Sequence, residues 1–165
     1  MLRHHLETPI GTLIAIADDA GLRSLLFPGH RVPSAIETIP RSDRGFEALT
    51  EQLAEYFAGD RHHFELPLAL RGTPFQLRAW DALRQIPYGQ TRSYGEQAAM
   101  LGGPESAHTL ARAVGLANNR NPISIIVPCH RVVGADGSLV GYGGGLPIKR
   151  YLLDLESAAQ PLFTF

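Results

Sequence analysis

Apolar residues cluster along this chain in two textures, short β-type runs near the start and helical faces further on. Thr12 to Ala17 and Leu22 to Phe27 are apolar runs separated by Asp18-Asp19-Ala20-Gly21, a pattern that predicts a hairpin. Leu2 to Leu6 predicts an edge strand, with the Pro9-Ile10-Gly11 turn behind it. Residues 28–43 hold Pro28, Pro33 and Pro40 among polar side chains and read as loop. Phe46, Leu49, Leu53, Tyr56 and Phe57 share one helical face, and Gly59 closes that helix.

From Gly72 the texture is helical. Thr73-Pro74-Phe75-Gln76 is a capping box with proline at the first helical position. The helix it opens carries Phe75, Ala79, Leu83 and Ile86 on one face, with Trp80 beside them, and stops at Pro87-Tyr88-Gly89. A second capping box, Ser93-Tyr94-Gly95-Glu96, opens a short helix through Ala98, Ala99 and Leu101 that Gly102-Gly103-Pro104 breaks. Ala107 to Asn118 predicts a third helix, ended by Asn119-Arg120-Asn121-Pro122. Short helix, glycine turn, helix is the grammar of a helix-turn-helix. Val132-Val133 and Leu139-Val140, on either side of Gly134 to Ser138, predict a hairpin in the position of a wing. A last helix is expected over about Pro147 to Ser157, with Glu156 near its end.

The pattern therefore predicts an α+β protein in two parts. Residues 1–70 form a small antiparallel sheet with a helix, and residues 71–165 form a helical, winged helix-turn-helix domain. Composition adds bounds rather than detail. The chain has 165 residues, 44% hydrophobic and 19% charged, as expected of a soluble globular protein. No run approaches the ~18 apolar residues of a membrane helix, and Met1-Leu2-Arg3-His4-His5 is not a signal peptide, so no membrane partner is expected. The single cysteine excludes an internal disulfide and a thiolate-rich zinc site, which points to a reducing compartment, the cytoplasm or a eukaryotic nucleus. Charge is uneven: residues 71–165 carry nine basic against six acidic side chains, and of those cations only Lys149 is not arginine. That excess permits a polyanionic partner without demanding one.

The candidate chemistry sits at Ile125-Ile126-Val127-Pro128-Cys129-His130-Arg131-Val132-Val133, where the lone cysteine lies between a proline and an imidazole inside apolar runs. Thiolate is the nucleophilic form of cysteine, and a neighbouring imidazole is a common way to make it. On a straight strand Cys129 and His130 would face opposite ways, so either the backbone turns at Pro128 or a water bridges the two side chains. Taken alone, a cysteine in an apolar run is also what an inert core thiol looks like. The histidine pairs His4-His5 and His62-His63 have no matching cysteines and read as surface residues rather than metal ligands. Gly141-Tyr142-Gly143-Gly144-Gly145 suits a backbone that approaches a ligand closely; no Gly-Lys-Ser or Gly-Lys-Thr follows to make it a phosphate loop.

Several of these segments together resemble one family. Val127-Pro128-Cys129-His130-Arg131-Val132, Ser93-Tyr94, Arg112-Ala113-Val114-Gly115, Asn121-Pro122 and Gly141 to Leu146 are similar to motifs of the methylated-DNA–protein-cysteine methyltransferases, the O6-alkylguanine-DNA alkyltransferases. The specific match spans about residues 71–156, in family order, while residues 1–70 match in general outline only, where the resemblance implies a ribonuclease H-like unit. It implies direct repair of O6-alkylguanine, and also of O4-alkylthymine, in double-stranded DNA. The target base is flipped out and its alkyl group moves irreversibly to Cys129, without a cofactor or metal. By the same resemblance, Arg112 fills the gap in the base stack and Tyr94 helps rotate the nucleotide and protonates the leaving guanine. Glu156 orients His130, which takes the thiol proton through a water, and Asn121 holds the turn carrying the cysteine. Ser93, Ala113 and Gly115 belong to the DNA face, and Val132, Tyr142 and Gly143 line the pocket for the base. The partner implied is the minor groove, read largely without sequence preference by a monomer that can cluster on DNA. With one thiol and a thioether product, the protein would act once per molecule.

Two departures stand out. The stretch from Glu105 to Leu110 exceeds the family's spacing by about four residues, close to one helical turn. These residues would either extend the third helix backwards or alter the turn and helix start, and the second is expected because an extended rigid helix risks colliding with the duplex. Leu110 also stands where the family places a small residue. Two other readings remain open: a winged-helix DNA-binding module with a silent cysteine, and a cysteine hydrolase using Cys129 and His130. The second is disfavoured because hydrolases usually bring the base from a distant segment and need an oxyanion hole.

Overall fold

The structure is a computed structural model in which residues 1–28, 34–142 and 144–158 are described. The chain divides into two compact units, one of residues 1–70 with 122–124, the other of residues 71–121 with 125–165.

In the first unit, strands β1 (Leu2–Thr8), β2 (Gly11–Asp18) and β3 (Gly21–Leu26) form an antiparallel sheet in chain order. The predicted edge strand and hairpin are thus both present. Alternation fixes the register: Leu6 pairs with Leu13, and Leu6, Leu13, Ala15, Leu22 and Leu25 are buried. Gly21 is required where it stands. Its φ is +138°, and a Cβ there would lie 2.4 Å from the Pro67 carbonyl oxygen. Loop residues 28–43, as far as described, contain one short helix, α1 (Ser34–Glu37); Pro33 lies outside the described residues. Helix α2 (Glu47–Phe57) buries Leu49, Leu53 and Tyr56 at the predicted spacing, and Gly59, with φ of +83°, follows its end. Gln52 on α2 donates to the Glu65 carbonyl and accepts from the Glu65 amide, pinning the returning chain. Pro122 and Ile123 run beside β3, with the Leu25 amide donating to the Pro122 carbonyl at 2.8 Å.

In the second unit both capping boxes form. Thr73 and Gln76 close α3 (Pro74–Arg84), and Ser93 and Glu96 close α4 (Tyr94–Gly102), each with reciprocal side-chain and backbone bonds. Such a cap contributes roughly 1 kcal/mol and, more usefully here, fixes where the helix starts. Helix α6 (Ala111–Asn119) packs against both. The fully buried Gln97 of α4 bonds to Asn118 of α6 in both directions, at 2.8 and 3.0 Å, and to the Ala79 carbonyl of α3 at 3.1 Å. Trp80 of α3 donates from Nε1 to the Ala117 carbonyl at 2.9 Å. These satisfied buried polar groups fix the helix angles more sharply than apolar packing alone. Helix α7 (Leu146–Ala158) buries Lys149, Leu152 and Glu156 on one face.

Two sequence expectations change. The third helix does not run from Ala107 to Asn118: a one-turn helix α5 (Ser106–Thr109) comes first, and α6 starts anew after Leu110. The extra residues thus alter the turn rather than lengthen α6. Leu110 is half-buried and turned back toward Gly102, where a Cβ would stand 3.7 Å from its Cδ1, so it does not project from the helix. The wing is also different. Val132–Val133 (β5) pairs in parallel with Arg92–Ser93 (β4), and Leu139-Val140 forms no strand. The Gly134 to Ser138 turn does close, with the Gly134 amide on the Ser138 carbonyl at 2.8 Å. Beyond it, the Lys149 ammonium takes the carbonyls of both Val132 and Val140, groups that a hairpin ladder would have used.

Candidate active site

The loop from α6 to the cysteine is shaped by its backbone. Ile125, almost fully buried, sits at φ of +73°, a conformation costing a β-branched residue roughly 1–2 kcal/mol. Pro128, at φ −84° and ψ 67°, is the centre of an inverse γ-turn closed by the Cys129 amide on the Val127 carbonyl at 2.9 Å. Cys129 to Arg131 then form a single 3-10 turn. The backbone does turn at Pro128, which removes the opposed facing that a strand would impose on Cys129 and His130.

Four side chains hold this turn. Asn121 Nδ2 donates to the Val127 carbonyl at 2.7 Å and to Cys129 Sγ at 3.3 Å, so one amide braces the turn and solvates the sulfur. Glu156, from α7, accepts from His130 Nε2 at 2.7 Å through Oε2. Arg131 grips the same carboxylate, Nε to Oε1 at 2.8 Å and Nη2 to Oε2 at 3.1 Å, while its Nη1 donates to the Ile86 carbonyl at 2.7 Å. The Gly89 amide completes the set on Oε1 at 3.4 Å. With Nε2 bonded to an ionised carboxylate, the neutral imidazole is assigned its proton there, leaving Nδ1 as the basic nitrogen. Nδ1 is buried and takes no hydrogen bond from any described residue.

The electrostatics follow. Burial works to raise the Glu156 carboxyl, but the hydrogen bonds and charges of His130 and Arg131 hold it well below the usual carboxylate range. Burial lowers His130 and leaves it a neutral base, against the opposing pull of Glu156. Burial also pushes the Cys129 thiol up, although the Asn121 amide, the Tyr142 hydroxyl and the Lys149 charge all favour the thiolate. A buried sulfur with its thiol raised keeps its proton until a base takes it.

The residues with a DNA assignment lie on α4 and α6. Ser93 is the N-cap of α4 and Tyr94 its first residue; Arg112 is exposed on α6, with Ala113 and Gly115 half-buried beside it. Gly115 lies against the Tyr94 ring, where a Cβ would stand 3.6 Å from Cε1. The Tyr94 hydroxyl donates to the Val140 carbonyl at 3.2 Å, and burial and then the Cys129 sulfur raise its pKa, which keeps the proton available for donation. Val132 is fully buried next to the 3-10 turn, and Tyr142 places its ring 5.7 Å from Lys149 Nζ. Gly143 lies outside the described residues. The site therefore brings Cys129, His130, Glu156, Asn121, Tyr94, Val132 and Tyr142 into one neighbourhood, while Arg112 stands on the exposed face.

Two residues carry more here than the sequence reading gave them. In the sequence Arg131 is simply part of the cysteine motif, and Lys149 a lone lysine among arginines. Lys149 is fully buried, and its ammonium ties the Val132 and Val140 carbonyls together. The spacing Lys149, Leu152, Glu156 was the legible signal, a cation and a carboxylate on the apolar face of one helix.

Comparison with known proteins agrees with this geometry. The family model described as the DNA binding domain of 6-O-methylguanine DNA methyltransferase matches residues 74–158, and that of its ribonuclease-like domain matches residues 1–70. A methylated-DNA–protein-cysteine methyltransferase of Methanosarcina acetivorans is 47% identical over 153 residues, 92% of this chain and 96% of its own. One from Mycobacterium leprae is 51% identical over 152 residues, 92% of this chain and 89% of its own. A crystal structure of Mycobacterium tuberculosis OGT in complex with DNA superposes with a TM-score of 0.88 at 45% identity, over 98% of this chain and 96% of that one. On these matches, which cover both units, the chain belongs to the 6-O-methylguanine DNA methyltransferase family, the methylated-DNA–protein-cysteine methyltransferases.

Proposed function

We propose that this protein repairs O6-alkylguanine in double-stranded DNA, and O4-alkylthymine by the same chemistry, by moving the alkyl group to Cys129 once per molecule. The observation that carries the proposal is the buried arrangement Arg131, Glu156, His130 and Cys129, with Asn121 donating to the sulfur at 3.3 Å. The thiol proton passes to His130 Nδ1 through a bridging water, and the imidazolium formed is stabilised by Glu156. The sulfur attacks the alkyl carbon; the S–C bond forms as the C–O6 bond breaks, and the electron pair stays on guanine. Tyr94 shifts its hydroxyl from the Val140 carbonyl to guanine N3 and supplies the compensating proton. Asn121, Tyr142 and Lys149 stabilise the transient thiolate, whose charge is consumed as the thioether forms. Product stability and the lack of a second thiol make the transfer irreversible.

The reacting carbon is inaccessible inside a stacked duplex, so the base must be extruded. Arg112, exposed on α6, occupies the gap in the stack, and Tyr94 crowds the phosphate of the turning nucleotide. The helix-turn-helix enters the minor groove, largely without sequence preference, as a monomer able to cluster along DNA. Incubation with duplex carrying isotopically labelled O6-methylguanine tests the function. Label moves to the protein if the proposal holds. Label that stays on DNA marks a binding module with a silent cysteine, and hydrolysis of an ester substrate at Cys129 without label transfer would mark a hydrolase.

A further inference from the structure

Helix α5 falls in the stretch where the resemblance implies a longer spacing than the family's, and it is packed against α4. Ser106 and Ala107 pack on the two ends of α4. A Cβ at Gly102 would stand 2.3 Å from Ser106 Oγ, and one at Gly95 would stand 3.7 Å from the Ala107 Cβ. Between α4, α5, the start of α6 and Ala135 runs an open groove of about 560 Å3. Its walls are small, with Gly95, Ala99, Ala107 and Ala111, and its polar groups are Ser93, Tyr94, Glu96 and His108. Glu96 is committed, with Oε1 accepting from the Ser93 amide at 2.9 Å and its own amide donating to Ser93 Oγ. Glu105 does not line the groove, its carboxylate lying beside Gly103. His108 lines it while exposed, and Thr109 is exposed next to it.

From this placement we infer that α5 is an added DNA-contact element, in which His108 donates to a phosphate of the duplex backbone seated in this groove. The inference rests on the function proposed above, because the groove is continuous with the Ser93, Tyr94 and Arg112 face assigned to DNA. The seat is suited to a sugar–phosphate strand in three respects. The walls are small side chains that leave the groove open, an imidazole N–H donates in either protonation state, and the exposed cation Arg112 stands one residue beyond Ala111. Such a contact fixes register on the duplex and reads no base, so it enlarges the footprint without adding sequence preference.

The test uses the full chain with His108→Ala, His108→Glu and His108→Lys, all at an exposed position. Two quantities are measured: affinity for an unmodified duplex across a salt series, and the rate with free O6-benzylguanine. His108→Ala should weaken duplex binding roughly three- to tenfold, as expected for losing one hydrogen bond to a charged oxygen at an exposed site. His108→Glu should weaken it further. His108→Lys should restore or exceed wild-type affinity, with a steeper salt dependence of up to about one unit in slope. The rate with the free base should stay at the wild-type value in all three. Unchanged affinity and salt slope across the three variants would overturn the inference, as would a loss of the free-base rate, which would make α5 a support of the active site. A wild-type chain that fails to react with O6-benzylguanine and takes no methyl from DNA would sink the underlying function instead.

Discussion

Arg131 holds Glu156 with two nitrogens, at 2.8 and 3.1 Å, while His130 takes the same carboxylate at 2.7 Å, and all three side chains are buried. The carboxylate is thereby an anion that orients and does not take a proton. In the proposed mechanism a proton leaving the thiol stops at His130, with Glu156 stabilising the imidazolium.

Replacing Arg131 by methionine should leave that carboxylate uncompensated in the interior and destabilise the fold by about 3 kcal/mol or more. Arg131→Lys should recover only part of the loss, because an ammonium cannot make the two-pronged contact. Urea unfolding of the three proteins checks this. Equal stability of wild type and Arg131→Met would mean the pair is not the anchor described here.

Asn121 braces the turn and donates to the sulfur, so it favours the thiolate against the burial that raises the thiol. Asn121→Ala should therefore move the pH–rate profile with O6-benzylguanine to higher pH and slow the reaction at neutral pH by roughly tenfold, the worth of a hydrogen bond to a charged group. A slower reaction with an unmoved profile would confine Asn121 to holding the turn.

Arg112 stands on the exposed face of α6, and Tyr94 beside the sulfur. Arg112→Ala should slow repair of duplex DNA by one to two orders of magnitude, roughly the 1–3 kcal/mol expected of one side chain at the duplex, and leave the free-base rate near wild type. Tyr94→Phe should slow both, since the proton donor is lost in each. Equal losses for Arg112→Ala on the two substrates would put it in the chemical step.

Stability should decline on both sides of neutrality. His130 is lowered by burial and stays neutral in the fold, so unfolding becomes easier as pH falls below the unfolded value near ~6.5. Glu156 is held low, so its contribution is fully present above ~4.3 and is lost as pH falls below that. Cys129 is raised by burial, so stability falls as pH rises past ~8.5, where the unfolded thiol ionises and the folded one does not. Thermal melts across pH should show Cys129→Ser losing the first alkaline decline and Glu156→Gln flattening the most acidic limb. Parallel curves for all three proteins would contradict these assignments.

Much of this was legible in the sequence where local chemistry decides structure. The boxes Thr73 to Gln76 and Ser93 to Glu96 satisfy their own helix starts, and the spacing of Leu49, Leu53 and Tyr56 sets the buried face of α2. The misreadings came where distant partners decide. Val132-Val133 and Leu139-Val140 look like a hairpin until Lys149 takes their carbonyls. The helical period from Ala107 to Asn118 gives no sign of the break at Leu110, which answers to Gly102 in another helix. Arg131 is a visible charge whose destination, Glu156, lies 25 residues away.

Cys129 should accept one alkyl group and keep it. Excess duplex containing O6-methylguanine should be incubated with the protein, and the protein then digested and mapped by mass spectrometry. One methyl group per chain is expected at plateau, carried as S-methylcysteine at Cys129, and none in Cys129→Ser, which should still bind the duplex. Methyl groups on any other residue, or guanine repaired in molar excess over protein, would contradict it.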